Sequence, residues 1–287
     1  MCQPAVLTAG PQLPMFHEPP GSYEVVRMSS SSLKSLLSGV VLLASPLALA
    51  GSTTSIPAFD AKIAAARGAT SAGGTTVLRS EMSDALRRFI DGDDGVVDAA
   101  ERAYLGTRVN DTVFLTGVES TARQYLNFFY ELNDAATTAA PLYLGYLQSS
   151  PAELYGADGP LANASTIVEG FIPYGQGVAN QLTLLTAING SQELGYGSPG
   201  NFYPINGTEL LQTLSQTAGY DWETPTQEEV DGAAAFITQI SRNSNRLYKA
   251  DWACFRGCQG DVGGYIIAAV STDRRFVRVV KVVTWVE

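Results

Sequence analysis

Five acidic residues lie within eleven positions, in the segment DGDDGVVDAAE between two predicted helices. They are Asp91, Asp93, Asp94, Asp98 and Glu101. Carboxylate oxygens are preferred ligands of hard cations, and calcium takes about six to eight oxygens. A turn does not by itself require so many carboxylates, so this acidic loop is a candidate calcium site.

The order of helix, acidic loop and helix resembles an EF-hand, over the loop and its flanking helices only. The resemblance implies carboxylate ligands from the three aspartates at positions 91, 93 and 94. It also implies a direct or water-bridged ligand at Asp98, a bidentate ligand at Glu101 and a sharp turn at Gly95.

The loop departs from the usual spacing of EF-hands. When Gly95 and Glu101 are aligned with D-x-[DN]-x-[DN]-G-x5-E, the first ligand position falls on Ile90. The loop is therefore one residue short, and the chain has no second copy of it, although EF-hands usually pair. The alternative is an Asp/Gly-rich turn in which Asp98 caps the next helix and acidic groups favour its N-terminus.

The number and positions of the histidine and cysteine residues limit the other catalytic and metal sites that the chain could form. The single histidine, His17, precedes the signal sequence described below, so a mature chain would have no Ser-His-Asp site and no histidine-bound zinc. Cys254 and Cys258 are the only cysteines beyond Cys2. Because zinc would need further Cys or His ligands, we expect these two to form a local disulfide in an oxidising compartment.

Carboxylate chemistry remains open to an enzyme, as in glycoside hydrolysis by two acids. Asp221 with Glu223, and Glu228 with Glu229, are candidate pairs, although acids at a helix start are more often caps. No P-loop, nucleophile elbow or convincing dinucleotide motif is present. The residues therefore favour a binding module over an enzyme.

Residues 28–50 have the order of a signal peptide, with Lys34, an apolar stretch and Ala-Leu-Ala before Gly51. The apolar stretch is shorter than the roughly 20 residues that cross a bilayer. We therefore expect a secreted or periplasmic protein with no membrane span after signal removal. Residues 1–27 are interpreted as a start codon placed too early or as a disordered extension.

Composition narrows the class of partner. The net charge of −10 argues against nucleic acid, because phosphate binding needs a basic surface. A Gly/Asn/Tyr-rich middle region instead contains aromatic side chains of the kind that contact proteins and glycans. These are Tyr155, Tyr174, Tyr196, Tyr203, Tyr220 and Trp222. The alternative is that they anchor long loops to the core, and we favour it for any single one of them.

The chain is predicted to have one folded domain. Residues 51–74 are expected to be a flexible leader with a short helix near 59–66, and residues 75–287 a single mainly helical domain. An alternative division separates a helical, EF-hand-like part (75–148) from a loop-rich α+β part (149–287).

Hydrophobic spacing and capping signals predict the secondary structure. Helices are predicted over 77–90, 98–106, 118–132, 135–147, 208–219 and 226–247, with 181–188 either a helix or a strand. A hairpin is predicted from strands over 264–271 and 275–286. The fold class is therefore mainly α (α+β): a helical domain with an EF-hand-like helix-loop-helix and a small C-terminal β-hairpin.

Basic residues lie among the valines of this hairpin: Arg274, Arg275, Arg278 and Lys281. They would protect an exposed sheet edge by charge, or dock the acidic middle of another copy, and we favour edge protection. The resulting functional prediction is a secreted or periplasmic calcium-binding module for a protein or glycan ligand. The alternative is a histidine-independent hydrolase with a carboxylate pair and a structural calcium site.

Overall fold

The structure is a computed structural model. It describes residues 52–92, 94–134, 142–146, 165–195, 197–218, 224–255 and 261–286. The α-helices are α1 (Ser52–Ala66), α2 (Arg79–Leu86), α3 (Ala99–Arg108), α4 (Thr112–Leu115), α5 (Ser120–Asn133), α6 (Gln181–Asn189), α7 (Gly207–Ala218) and α8 (Gln227–Ile240). The strands are β1 (Gly145–Tyr146), β2 (Ser165–Phe171), β3 (Ser198–Pro199), β4 (Tyr203–Ile205), β5 (Arg246–Cys254), β6 (Val262–Val270) and β7 (Phe276–Val286).

The described residues are 45% helical and 22% strand. The fold is therefore α+β, and the mainly helical prediction is wrong. The predicted hairpin is present as β6 and β7, but it belongs to a larger antiparallel sheet that also contains β5. The helix predicted over 226–247 ends at Ile240, because the chain turns through Asn243, which has a φ of 64°, and enters β5.

The strand order of the sheet is β1-β2-β7-β6-β5, with β3 and β4 both pairing with β5. Every pairing is antiparallel. Strand β7 is hydrogen-bonded to β2 on one side and to β6 on the other. It is a central strand, so the prediction that its basic residues protect an exposed edge is wrong.

Three of those basic residues hold other parts of the chain to the sheet. Arg274 pairs with Asp134 at the end of α5, at 2.6 Å. Arg278 pairs with Glu169 of β2 and also donates hydrogen bonds to backbone carbonyls at the end of α8. Lys281 is buried, and its amine donates a hydrogen bond of 2.6 Å to the Leu194 carbonyl, which follows α6 in the chain.

The sheet buries both of its faces. On β6 and β7, Ile266 and Val279 belong to a cluster that includes α6, whereas Ile267 and Val280 pack with α7 and α8. Adjacent residues of a strand point to opposite faces. A sheet that is covered on both sides needs apolar residues at successive positions, which explains the nearly continuous apolar runs of these strands.

A separate hydrophobic cluster joins α1, α2, α3 and α5. Phe59 and Ile63 of α1 are buried in it, together with Phe89 and Phe129. Helix α1 is longer than the short helix predicted near 59–66. Within the segment predicted as a flexible leader, Ser55, Phe59, Ile63 and Ala66 are buried.

The predicted helix over 135–147 is wrong at its C-terminal end. Gly145 and Tyr146 form β1, which pairs with Glu169 and Val168 of β2. Residues 135–141 lie outside the described residues. Residues 181–188, predicted as a helix or a strand, form α6, which Asn180 caps by accepting a hydrogen bond from the Thr183 N–H.

Several predictions concern residues outside the described part of the chain. The signal peptide at 28–50 and the extension at 1–27 belong to this group. Cys254 is the last residue of β5, but Cys258 is not described, so the disulfide stays a prediction. Among the described residues, no helix is long and apolar enough to cross a membrane.

Candidate functional site

The C-terminal half of the acidic loop forms a helix cap. The Asp98 carboxylate accepts a hydrogen bond from the Glu101 N–H at 2.8 Å, and the Glu101 carboxylate accepts one from the Asp98 N–H at 2.8 Å. This reciprocal pair is a capping box at the start of α3. The capping role that the sequence offered as an alternative for Asp98 is therefore present.

Glu101 is fully buried, with no exposed side-chain surface. Its second carboxylate oxygen accepts a hydrogen bond from the Ser55 hydroxyl of α1. Both oxygens are therefore in hydrogen bonds that join α1, the loop and α3. A buried carboxylate needs such partners, because removing it from water without them is costly.

The remaining described carboxylates of the loop have other partners. Asp94 accepts a hydrogen bond from the Val96 N–H at 3.0 Å, across a turn in which Gly95 has a φ of +83°. Asp91 pairs with Arg87, and Asp93 lies outside the described residues. Within the described residues, no group of three or more His, Cys, Asp or Glu is placed to hold a metal ion. Calcium binding by this loop stays a prediction from the sequence, and the hydrogen bonds of Glu101 and Asp91 compete with it.

Asn201 attaches the loop to the rest of the fold. Its side-chain amide donates a hydrogen bond of 2.9 Å to the Gly95 carbonyl and accepts one of 2.6 Å from Gln181 of α6. Gln181 also accepts a hydrogen bond from the Phe202 N–H. The loop is thus held by contacts far away in sequence, which local spacing does not reveal.

A polar cleft of about 400 Å³ lies beside the loop. Its walls come from α2, α5, α7, the residues before and within β4, and β5. The lining residues are Ser83, Arg87, Ile90, Asp91, Tyr125, Gly200, Asn201, Tyr203, Pro204, Ile205, Glu209, Thr213, Lys249 and Asp251. Small-molecule sites are usually clefts of about 300 to 1,000 Å³, so its volume suits a small ligand.

One wall of the cleft is built around Tyr203. The Tyr203 hydroxyl donates a hydrogen bond of 2.7 Å to Asp91, and the Arg87 guanidinium lies 4.2 Å from the centroid of the Tyr203 ring. Arg87 also donates to Asp91 at 3.1 Å. Burial and the bond to Asp91 raise the pKa of Tyr203. The phenol therefore stays protonated at neutral pH and acts as a donor.

A second ion pair lies on the β5 wall. Lys249 donates to Asp251 at 3.0 Å, and the Asp251 side chain is 80% exposed. The Lys249 amine also lies 4.1 Å from the centroid of the Tyr265 ring. The cleft thus has a cation and an anion on each of two walls.

Glu209 is the acid of the α7 wall, and it is tied to Arg79. Both carboxylate oxygens accept hydrogen bonds from Arg79, at 2.7 and 2.8 Å, and one also accepts from the Asn206 N–H. Burial alone would raise the pKa of Glu209, but the hydrogen bonds from Arg79 and Asn206 outweigh it and lower the pKa. Glu209 is therefore ionised and unsuited to donating a proton.

A second cavity, of about 300 Å³, also borders the acidic loop. Val96 and Val97 of the loop line it together with Leu132, Leu182 and Leu185. Val96 and Leu182 are 63% and 64% exposed. The loop therefore contributes Asp91 to a polar cleft and its two valines to a more apolar one.

The carboxylate pairs proposed from the sequence do not form a described site. Glu229 is in the capping box of α8 with Thr226, and Glu228 is exposed in the same turn. Asp221 and Glu223 are not described.

Of the aromatic candidates, Tyr203 lines the cleft and Tyr174 lies at an exposed turn. The others fall outside the described residues: Tyr155, Tyr196, Tyr220 and Trp222.

Comparison with known proteins identifies no relative. No protein-family model, no curated protein and no solved structure matches the chain. The functional proposal therefore depends on the chemistry of the cleft.

Proposed function

We propose that this protein is an exported binding module that holds a small hydrophilic molecule in the polar cleft. The proposal is carried by two ion pairs that line different walls of one cleft. They are Arg87 with Asp91 and Lys249 with Asp251. Each pair presents donors and acceptors to the same volume. A ligand with hydroxyl groups, or with both charges, would match both walls.

The cleft is suited to binding because its walls are already ordered. Tyr203 is held between Arg87 and Phe129, whose ring centroid lies 6.5 Å from that of Tyr203. Asn201 is fixed by Gln181 and Gly95. A ligand would therefore meet side chains that lose little further conformational freedom, which favours affinity.

Export is part of the proposal and depends on the signal-like sequence at 28–50. The predicted cleavage point, before Gly51, lies next to the start of α1 at Ser52. Cleavage there would leave α1, with the buried Phe59, in the mature chain. N-terminal sequencing of the exported protein tests this point, and an uncleaved N-terminus at Met1 or Met28 would contradict it.

Thermal unfolding with small polar probes tests the binding function. We would add free amino acids, monosaccharides and polyols separately to the mature protein. A probe at about 100 times its Kd stabilises the native state by about 2.7 kcal/mol, which raises the Tm of a protein of this size by about 5 to 11 °C. We expect at least one of these classes to give such a rise.

Arg87→Gln and Lys249→Gln should each reduce the rise in Tm. The matched control is Lys62→Gln, since Lys62 pairs with Asp84 on the surface and does not line the cleft. Absence of stabilisation by every probe, or an undiminished rise in both cleft variants, would show that the cleft is not the binding site.

A hydrolase is the second candidate function, because Asp91, Glu209 and Asp251 line the same cleft. Glycosidases use one acid as a proton donor, and the lowered pKa of Glu209 disfavours it for that role. Asp91 or Asp251 would then be the proton donor. Turnover of 4-nitrophenyl glycosides that is lost in both Asp91→Asn and Asp251→Asn would favour the hydrolase over the binding module.

A further inference from the structure

Three aromatic side chains are exposed near the β1–β2 edge of the sheet. Tyr143 is 79% exposed, Phe171 57% and Tyr174 88%. Continuing the β1–β2 register by two residues places Tyr143 opposite Phe171. This edge is far in the strand order from β5, which borders the polar cleft together with β4.

A tight turn holds Tyr174 away from the core. The Gln176 N–H donates a hydrogen bond to the Pro173 carbonyl at 3.2 Å, and Gly175 has a φ of +80°. Tyr174 is the second residue of this four-residue turn, and a glycine at the third position permits the positive φ. The sequence FIPYGQG therefore favours the turn that leaves Tyr174 exposed.

Arg275 lies against two of these rings. Its guanidinium carbon is 4.7 Å from the centroid of Phe171 and 5.0 Å from that of Tyr174. Its Nε donates a hydrogen bond of 2.8 Å to the Ile172 carbonyl, and the Ile172 N–H donates one of 2.8 Å to the Arg275 carbonyl. The guanidinium is thus oriented by both backbone and ring contacts.

Arg275 differs from its neighbours on the hairpin in its ion pairing. Arg274 and Arg278 form ion pairs with Asp134 and Glu169. In the described part of the chain, Arg275 takes part in none of the ion pairs. A guanidinium that is stacked and oriented in this way presents a planar fork that matches a carboxylate or sulfate.

We propose that Tyr143, Phe171, Tyr174 and Arg275 form an aromatic platform that binds an anionic saccharide. The Arg275 fork would bind the carboxylate or sulfate, and the flat aromatic rings would cover the apolar faces of the sugar rings. This site is separate from the cleft and does not depend on the function proposed for it.

The size and charge of the platform favour a sugar over a protein partner. A stable protein interface needs about 800 Å² on each side, whereas the platform consists of four side chains, and the nearby Glu169 and Arg278 already pair with each other. The protein carries a net charge of −10. An anionic ligand therefore needs a local cation, and Arg275, which lies against the Phe171 and Tyr174 rings, supplies it.

Isothermal titration of the mature, full-domain protein with short oligosaccharides tests the proposal. The probes are oligogalacturonate, its uncharged methyl ester, and a sulfated galactose oligomer, at about 0.15 M salt to screen distant charges. We expect saturable binding of a charged probe and none of the methyl ester. The two charged probes distinguish a carboxylate from a sulfate as the preferred group.

Tyr174→Ala and Arg275→Lys should each weaken this binding by about tenfold or more, because the first removes a stacking surface and the second removes the planar bidentate fork. Tyr174 is so exposed that its loss should leave the Tm unchanged, which separates a binding defect from misfolding. Val113→Ala and Arg242→Gln are the controls, since both positions are exposed and neither belongs to the platform.

Three outcomes would overturn the proposal. The first is wild-type protein that binds neither charged oligosaccharide, and the second is variants that bind as tightly as wild type. The third is a wild-type dimer, measured by sedimentation, that Tyr174→Ala converts to a monomer. That result would make the platform a contact between copies of the chain and not a sugar site.

Discussion

The hydroxyl of Tyr203 donates a hydrogen bond of 2.7 Å to Asp91, across a separation of 112 residues in the chain. This bond joins β4 to the start of the acidic loop and so forms one wall of the cleft. Asp91 is the first acidic residue of the loop that the sequence predicts to bind calcium. The structure gives it a partner that no local pattern predicts.

Tyr203→Phe should destabilise the protein modestly. The substitution removes the hydroxyl and keeps the ring contacts with Arg87 and Phe129. Because a hydrogen bond of this kind contributes about 1 kcal/mol, the free energy of unfolding in urea should fall by about that amount. Tyr174→Phe is the control, as its ring is 88% exposed, and equal losses in both variants would contradict a role for the bond.

Glu101→Ala should be among the most destabilising single changes at the loop. It removes a buried carboxylate and leaves the Asp98 N–H and the Ser55 hydroxyl without their acceptor. We expect a loss of about 3 kcal/mol in the free energy of unfolding. Ser55→Ala should cost about 1.5 to 3 kcal/mol, because its hydrogen bond goes to a buried carboxylate. Glu228→Ala, at an exposed position, should be within about 0.5 kcal/mol of wild type.

Calcium should leave the Tm unchanged. Both oxygens of Glu101 are occupied by hydrogen bonds, and Asp91 is paired with Arg87 and Tyr203. A calcium ion would have to replace these contacts. The measurement is Tm with about 10 mM calcium, which exceeds the Kd of even weak extracellular sites, with magnesium as the comparison.

A calcium-specific rise in Tm that Asp94→Ala abolishes would contradict this expectation. Such a rise would support the calcium site predicted from the loop sequence, because a ligand that binds only the native state stabilises it.

Acidification should weaken the pair between Arg79 and Glu209. The pKa of Glu209 is lowered in the folded protein by hydrogen bonds from Arg79 and Asn206 that outweigh burial. Its stabilising contribution is therefore present above the ordinary glutamate pKa of about 4.3 and is lost as the pH falls through the lower folded value.

The measurement is the free energy of unfolding in urea between about pH 6 and pH 3, a range that includes the ordinary glutamate pKa. Glu209→Gln should lose less stability than wild type over that range, whereas Glu228→Gln should follow wild type, since Glu228 is exposed. Parallel curves for wild type and Glu209→Gln would contradict the lowered pKa.

Local signals predicted the helices well where capping and spacing agree. The Thr226 and Glu229 capping box begins α8 as predicted, and α2, α3, α5 and α7 lie close to their predicted ranges. The hairpin of β6 and β7 was also predictable, because both strands are apolar and a short turn joins them. These features depend on residues that are near one another in sequence.

The sheet was not predictable in the same way. Strand β2 lies in a Gly- and Asn-rich region, and its partner β7 is more than 100 residues away, from Ser165 opposite Val282 to Phe171 opposite Phe276. Strand β5 alternates buried and partly exposed residues, but its start follows α8 so closely that helical spacing extends over it. Strand pairing is non-local, so the pattern of one segment does not specify its partner.

The sequence by itself determined the types of chemistry that remain: carboxylates, tyrosines and a few cations, with no histidine beyond residue 17. It also placed Asp91, Asp98 and Glu101 in one loop. Only the tertiary structure decided what those groups contact. Asp91 accepts a hydrogen bond from Tyr203, and Glu101 accepts one from Ser55. These bonds form because the packing of α1, α3 and β4 brings residues that are distant in sequence within hydrogen-bond distance. A buried carboxylate requires such partners.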